Sequence, residues 1–340
     1  MPILGIFASS GGVKQNYIAV ATGTTPKIQI YPWAAATGFG AKYANPATLP
    51  AGSIVPDVKF KPQGNAVAVV NSSTPFITAY PWSSAGFGTK YANPATLPTG
   101  AGQSVNWSPS GADIAIGHEI TPFVSAYAWS NGFGSKYADP ATLPIAQVGS
   151  LSWSPSGADI ALGFTSSPYI HAYPWSAGFG TKYANPATLP PSGVQGLAFR
   201  PQGDVIACAA PSAPRVSAYP WTSGTGFGTK YANPATAPTG DSESVAWSPS
   251  GNDIAVAHAT TPFVSAYAWS SGFGSKYANP ATLPAGDGRS VDFSVAGDAI
   301  AIGHSTTPFI SAYPWSAGFG TKYSNPATLP ASAGSGVDFI

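Results

Sequence analysis

From Ser104 the chain reads SVNW, SPSG, DIAIGH, FVSAYAW and GFGSKYADPATLP, with a few residues between the pieces, and each piece has its own apolar pattern. SVNW predicts a short strand, a. SPSG predicts a turn, with Pro second and Gly fourth as a type I turn prefers. DIAIGH alternates large Ile with small Ala and Gly and predicts strand b. FVSAYAW predicts strand c, with Phe123, Ser125, Tyr127 and Trp129 on one face and Val124, Ala126 and Ala128 on the other. GFGSKYADPATLP predicts an outermost strand d and its exit. No segment shows the period of an amphipathic helix, and Gly or Pro interrupts nearly every stretch.

The pattern recurs. Trp33, Trp82, Trp129, Trp175, Trp221, Trp269 and Trp315 mark seven copies, 46 to 49 residues apart. That period with strand-like text predicts propeller blades rather than a helical solenoid. The expected fold is all-β: a seven-bladed β-propeller of four-stranded antiparallel blades over residues 14–340, preceded by an N-terminal arm, residues 1–13. Proline cannot donate to a ladder, and the Asn-Pro and Leu-Pro pairs gather in segment d, the free outer edge.

Two segments compete for the innermost strand of the closing blade. The strand-a aromatics Phe60, Trp107, Trp153, Phe199, Trp247, Phe293 and Phe339 keep a spacing of 46 to 48 residues. Phe7 precedes Phe60 by 53, out of step. The C-terminal GVDFI is therefore expected to join strands b to d of roughly residues 16–50, burying Val337, Phe339 and Ile340. Ile3, Leu4, Ile6 and Phe7 would then form an exposed apolar run, suited to docking on a partner.

Composition narrows the chemistry. Of 43 aromatic residues, 40 fall at repeated positions, so packing explains them better than a glycan-stacking platform. Only 8% of residues are charged and the net charge is +1, which gives no electrostatic case for nucleic acid or an anionic membrane. One cysteine, Cys208, makes no internal disulfide, and no apolar run is long enough for a membrane helix. No secretory signal is read at the start.

His118, His258 and His304 share the end of strand b, where other copies have Thr22, Asn71, Phe164 and Ala210. A ring would hold these histidines apart, so no metal or other cofactor is expected. Asp113, Asp159, Asp204, Asp253 and Asp298 read as one register after the a–b turn, with Asn16 and Asn65 in two copies, and suit acceptors in a tight turn. There is no nucleophile elbow, phosphate loop or calcium loop, so no catalytic site is expected. Lys42, Lys90, Lys136, Lys182, Lys230, Lys276 and Lys322 form one register on the outer rim, for solubility and edge protection or for contact with an acidic partner. The b–c loops and d–a links vary most among copies and share one face, the first candidate for recognition.

V-x-W-S-P-S-G-x-D-I-A followed by a strand ending in Trp resembles the WD-repeat β-propellers over about residues 14–340. The resemblance implies the fold. It does not carry over that family's His–Ser–Trp–Asp network, because no Asp follows the strand-c Trp. MPILGIFASS and the GFGTKYANPATLP line are similar to segments of phage-encoded structural proteins and propellers. That resemblance implies a non-enzymatic component of a tailed-phage virion, decorating head or tail or contacting the host. The arm would meet other virion proteins, and one loop face a host glycan or protein. A glycan-binding lectin-like propeller and an intracellular scaffold for protein interactions are the alternatives.

Overall fold

Each copy of the repeat forms one antiparallel sheet, and seven sheets make a ring. The structure is a computed structural model and describes residues 16–53 and 55–340. The arm residues Ile3, Leu4, Ile6 and Phe7 lie outside the described residues. Blade 3 shows the unit: strand a Gly102–Trp107, b Asp113–His118, c Val124–Trp129 and d Phe133–Lys136. Strand a lines the axis and d the rim.

The ring closes through the C-terminal strand, as its spacing predicts. The sheet of blade 1 runs Gly334–Phe339, Asn16–Thr22, Ile28–Ala34, Gly38–Phe39. Val337 pairs with Val20 and Phe339 with Ile18. Tyr17 and Ile340 exchange two backbone hydrogen bonds of 2.8 and 3.0 Å. Val337 and Phe339 are buried, and Ile340 packs half-buried on the neighbouring core.

Strand d is shorter than the pattern suggests, and proline explains why. In blades 3 and 6 strand c reads AYAW and strand d spans four residues. Blades 4 and 7 have the same c–d loop length but read AYPW, and there strand d shrinks to one bridge, Trp175–Phe179 or Trp315–Phe319. Trp129 N–H points inward to Ala112, so the N–H of the preceding residue faces strand d. Proline at that place deletes the donor. Its carbonyl still works: Gly180 donates to Pro174 O at 2.8 Å.

The repeated line joins blades. Each strand-c Trp is 3 to 7% exposed and meets three rings edge-on, or four at Trp82, where Tyr17 is added. Trp175, for example, touches Trp153 of its own strand a, Phe179 of its own GFG, and Tyr137 of the preceding blade, at centroid distances of 4.7 to 5.1 Å. The equivalent contact across the closure is Tyr323 on Trp33 at 5.1 Å. The strand-c Tyr is fully buried, and in every blade but blade 5 it donates its hydroxyl to the preceding blade, as Tyr127 does to Thr96 O at 2.8 Å. The first Gly of GFG takes a left-handed φ, and at Gly38 a side chain would strike the Tyr323 ring at 3.1 Å. Edge-to-face rings and area burial hold blade to blade.

Two expectations need correction. The five aspartates occupy two registers. Asp204 and Asp298 follow the turn Gly directly and share the register of Asn16 and Asn65, whereas Asp113, Asp159 and Asp253 lie one residue later. One residue reverses the side-chain direction. The first pair is exposed; the others accept Tyr137, Tyr183 and Tyr277 hydroxyls at 2.6 to 2.7 Å. Serine does the turn work assigned to them: Ser108 Oγ accepts Asp113 N–H at 3.0 Å. The aromatics placed at the start of strand c, such as Phe123 and Phe263, instead sit in the b–c turn with left-handed φ of 67° and 70°, each following a cis proline bond.

Candidate functional site: the axial channel

The inner strands of the seven blades enclose a channel of about 270 Å³. Its wall has two kinds of lining. At the position before the strand-a aromatic, blades 4, 5 and 6 carry Ser152, Ala198 and Ala246, whereas blades 7, 1 and 2 carry Asp292, Asp338 and Lys59. Blade 3 has Asn106 there. An inner strand has no further strand to pair with, so its free N–H groups need acceptors. Neighbouring blades supply them. Ser152 accepts Phe199 N–H at 3.3 Å, Ser244 accepts Val291 N–H at 3.3 Å and Ser290 accepts Val337 N–H at 3.0 Å. On the charged arc carboxylates do the same: Asp338 takes Phe60 N–H at 2.7 Å, Asp292 takes Phe339 N–H at 2.9 Å and Asp57 takes Val105 N–H at 3.1 Å.

Lys59 Nζ lies 2.7 Å from Asp338 Oδ1. Burial alone would lower this ammonium, but Asp338, Asp292 and Asp57 together hold it above its ordinary value. Burial raises all three carboxyls, against the opposing pull of Lys59, and Asp292 reaches about 7. Higher in the channel Glu243 is raised by burial, with Arg289 opposing and Asp287 and Asp241 adding to the rise.

The histidines are not brought together. Each is fully buried in its own blade, Nε2 facing a strand-c serine: His118–Ser125 at 3.1 Å, His258–Ser265 at 3.0 Å, His304–Ser311 at 3.1 Å. Burial pushes each down to about 4. Other blades fill the same pair of sites with Asn71–Thr78, Thr22–Gln29 or the ring pair Phe164–His171. Where Ala210 stands, the facing Ser217 hydroxyl has no partner among the described residues. Among the described residues no group of three or more His, Cys, Asp or Glu is arranged to hold a metal.

The seven rim lysines are half-buried rather than free. Each bonds the Asn or Asp three residues on, as in Lys42–Asn45 at 2.6 Å, Lys90–Asn93 at 2.5 Å and Lys182–Asn185 at 2.7 Å. Lys136–Asp139, Lys230–Asn233, Lys276–Asn279 and Lys322–Asn325 repeat the clip. It pins the chain into the turn that leaves the rim.

Sequence reading passed over Asp57, Lys59, Asp292 and Asp338. A search for repeated residues discards positions that vary, and the signal was the variation itself: Lys, Asn, Ser, Ala, Ala, Asp, Asp at one register.

No protein-family model matches the chain, and no curated protein matches it. Solved structures do. A functionally unknown protein from Desulfotomaculum acetoxidans superposes with a TM-score of 0.72 at 13% identity, covering 96% of this chain and 99% of that one. The chain is a seven-bladed β-propeller. A Bacteroides uniformis protein provisionally assigned as a 6-phosphogluconolactonase gives a TM-score of 0.67 at 14% identity, with 96% and 99% covered. These likenesses concern the fold alone.

Proposed function

We propose that this propeller is a rigid, non-catalytic binding scaffold, built into a tailed-phage particle as a head, tail or host-contact component. One observation carries the scaffold reading: the side chains best suited to chemistry are committed, blade after blade, to internal bonds. The histidines face strand-c serines, three aspartates take tyrosine hydroxyls, and the rim lysines clip their own turns. The particle reading rests on the likeness of MPILGIFASS to the opening of phage-encoded structural proteins and of the GFGTKYANPATLP line to repeats in phage-encoded propellers. The arm with Ile3, Leu4, Ile6 and Phe7 docks on other virion proteins, and the face of b–c loops and d–a links meets a host glycan or protein. Deleting residues 2–12 should leave the circular-dichroism melt unchanged and abolish incorporation into particles. Normal incorporation of the truncated chain would overturn this assignment.

A second reading has one observation in its favour. Glu243, raised by burial, faces Arg289 in a channel whose fold is shared with the provisionally assigned lactonase. Hydrolysis of 6-phosphogluconolactone that disappears in Glu243→Gln would replace the scaffold reading; the expected result is no acceleration.

A further inference from the structure

The ring is joined by the peptide chain everywhere except in blade 1, where strand Gly334–Phe339 meets strand Asn16–Thr22 through hydrogen bonds alone. The charged arc of the channel sits at this joint. Asp338 belongs to the closing strand itself, and both of its oxygens are held from blade 2, by Lys59 Nζ at 2.7 Å and Phe60 N–H at 2.7 Å. Those partners are 279 and 278 residues away in sequence, so they bridge the break. Behind it, Asp292 of blade 7 holds the same strand through Phe339 N–H at 2.9 Å. Ser152, Ala198 and Ala246 occupy this register in blades 4, 5 and 6. Charge is placed where the backbone does not close the ring.

We propose that Lys59, Asp292 and Asp338 form a pH-sensitive latch that grips the C-terminal strand more tightly in mild acid than in alkali. The groups facing it are Asp57 just before the strand of Lys59, the uncharged Ser104 and Asn106 from blade 3, and Arg289 and Glu243 higher in the channel. One ammonium therefore meets three carboxylates, Asp57, Asp292 and Asp338. When all are ionised two negative charges are left over, and they repel across the joint. Burial, with the Asp338 charge adding to it against the pull of Lys59, brings Asp292 to about 7, far above the ordinary value of 3.8, and the proton it takes there relieves the repulsion. A carboxyl raised in the ring binds more protons there than in the open chain. Closure therefore strengthens as pH falls through 7 and weakens as pH rises above it. The buried histidines act with the opposite sign, since they resist protons that the unfolded chain accepts. The latch must accordingly be read at the joint rather than from the whole molecule.

Hydrogen exchange provides that local reading on the full chain. The protection factors of the Val337 and Phe339 amides, divided by those of Leu151 and Trp153 in blade 4, should rise about threefold or more between pH 8.5 and pH 6. In Asp292→Asn, which carries the neutral form permanently, the ratio should stay flat and high across that range. Asp292→Ser, which places the blade 4 residue at this register, provides a second variant if the first folds poorly, and it too should be flat. A wild-type ratio independent of pH, or one that varies equally in either folded variant, would overturn the latch.

Discussion

Blades 4 to 6 and the arc of blades 7, 1 and 2 share one aromatic scaffold but differ on the channel side. In the first region consecutive blades are tied by the chain, and serine hydroxyls at 3.3 Å satisfy the inner N–H groups. In the second, the ring must be shut without a covalent link, and carboxylates at 2.7 to 2.9 Å with one lysine are added to the Ser290 hydroxyl that accepts Val337 N–H. Charge-assisted hydrogen bonds are shorter and stronger than neutral ones. They also bring pH dependence to the joint, which a serine ring would not have.

The harshest way to break the comparison is to remove the closing strand. Deleting residues 336–340 takes away Val337 and Phe339, each buried and worth about 1.5–3 kcal/mol, along with a whole ladder. No cooperative thermal melt should remain, and size-exclusion chromatography should show aggregate. Next come the tryptophans: Trp33→Ala and Trp175→Ala should each cost about 3–5 kcal/mol. Urea midpoints should fall further for Trp33→Ala, whose contact with Tyr323 crosses the joint.

Acid acts on the buried histidines with the opposite sign to its action at the joint. His118, His258 and His304 lie in blades 3, 6 and 7, and burial holds each at about 4. Below the unfolded value of about 6.5 their exclusion of protons destabilises the ring, by about 1–2 kcal/mol per histidine at pH 5. Replacing all three by Asn, the residue blade 2 uses there, should flatten the loss of melting temperature between pH 6.5 and 5. Smaller still is Ser244→Ala in the continuous arc, at about 1 kcal/mol for one lost hydrogen bond. Smallest is Lys230→Gln on the rim, below about 1 kcal/mol because the pair is solvated. Both are read from denaturant midpoints.

How much of this the sequence discloses follows from what repeats. Trp at 46- to 49-residue spacing and Phe339 in step with Phe293 were enough for blade number and for the closing strand. The registers of the aspartates were not legible by alignment on the turn glycine, because GAD and GDV differ by one residue and only the ladder shows which residue faces inward. The rim lysines looked free because their partners, the Asn of Asn-Pro or in blade 3 the Asp of Asp-Pro, read as turn formers. The channel cluster was invisible for a different reason. Lys59, Asp292 and Asp338 are far apart in sequence, and each alone is an ordinary polar residue on a strand; only ring closure brings them together.

A double-mutant cycle across the joint tests the central claim most directly. Lys59→Met, Asp338→Asn and the double variant should be compared by urea unfolding at pH 7.5. Lys59 keeps 27% of its side chain exposed, so each single change should cost about 2 kcal/mol, less than for a fully buried pair. The account predicts that the double variant loses less than the sum of the singles, by about 1 kcal/mol or more. Strict additivity would mean that lysine and aspartate do not act together, and that the ring is shut by its ladder and its aromatic contacts alone.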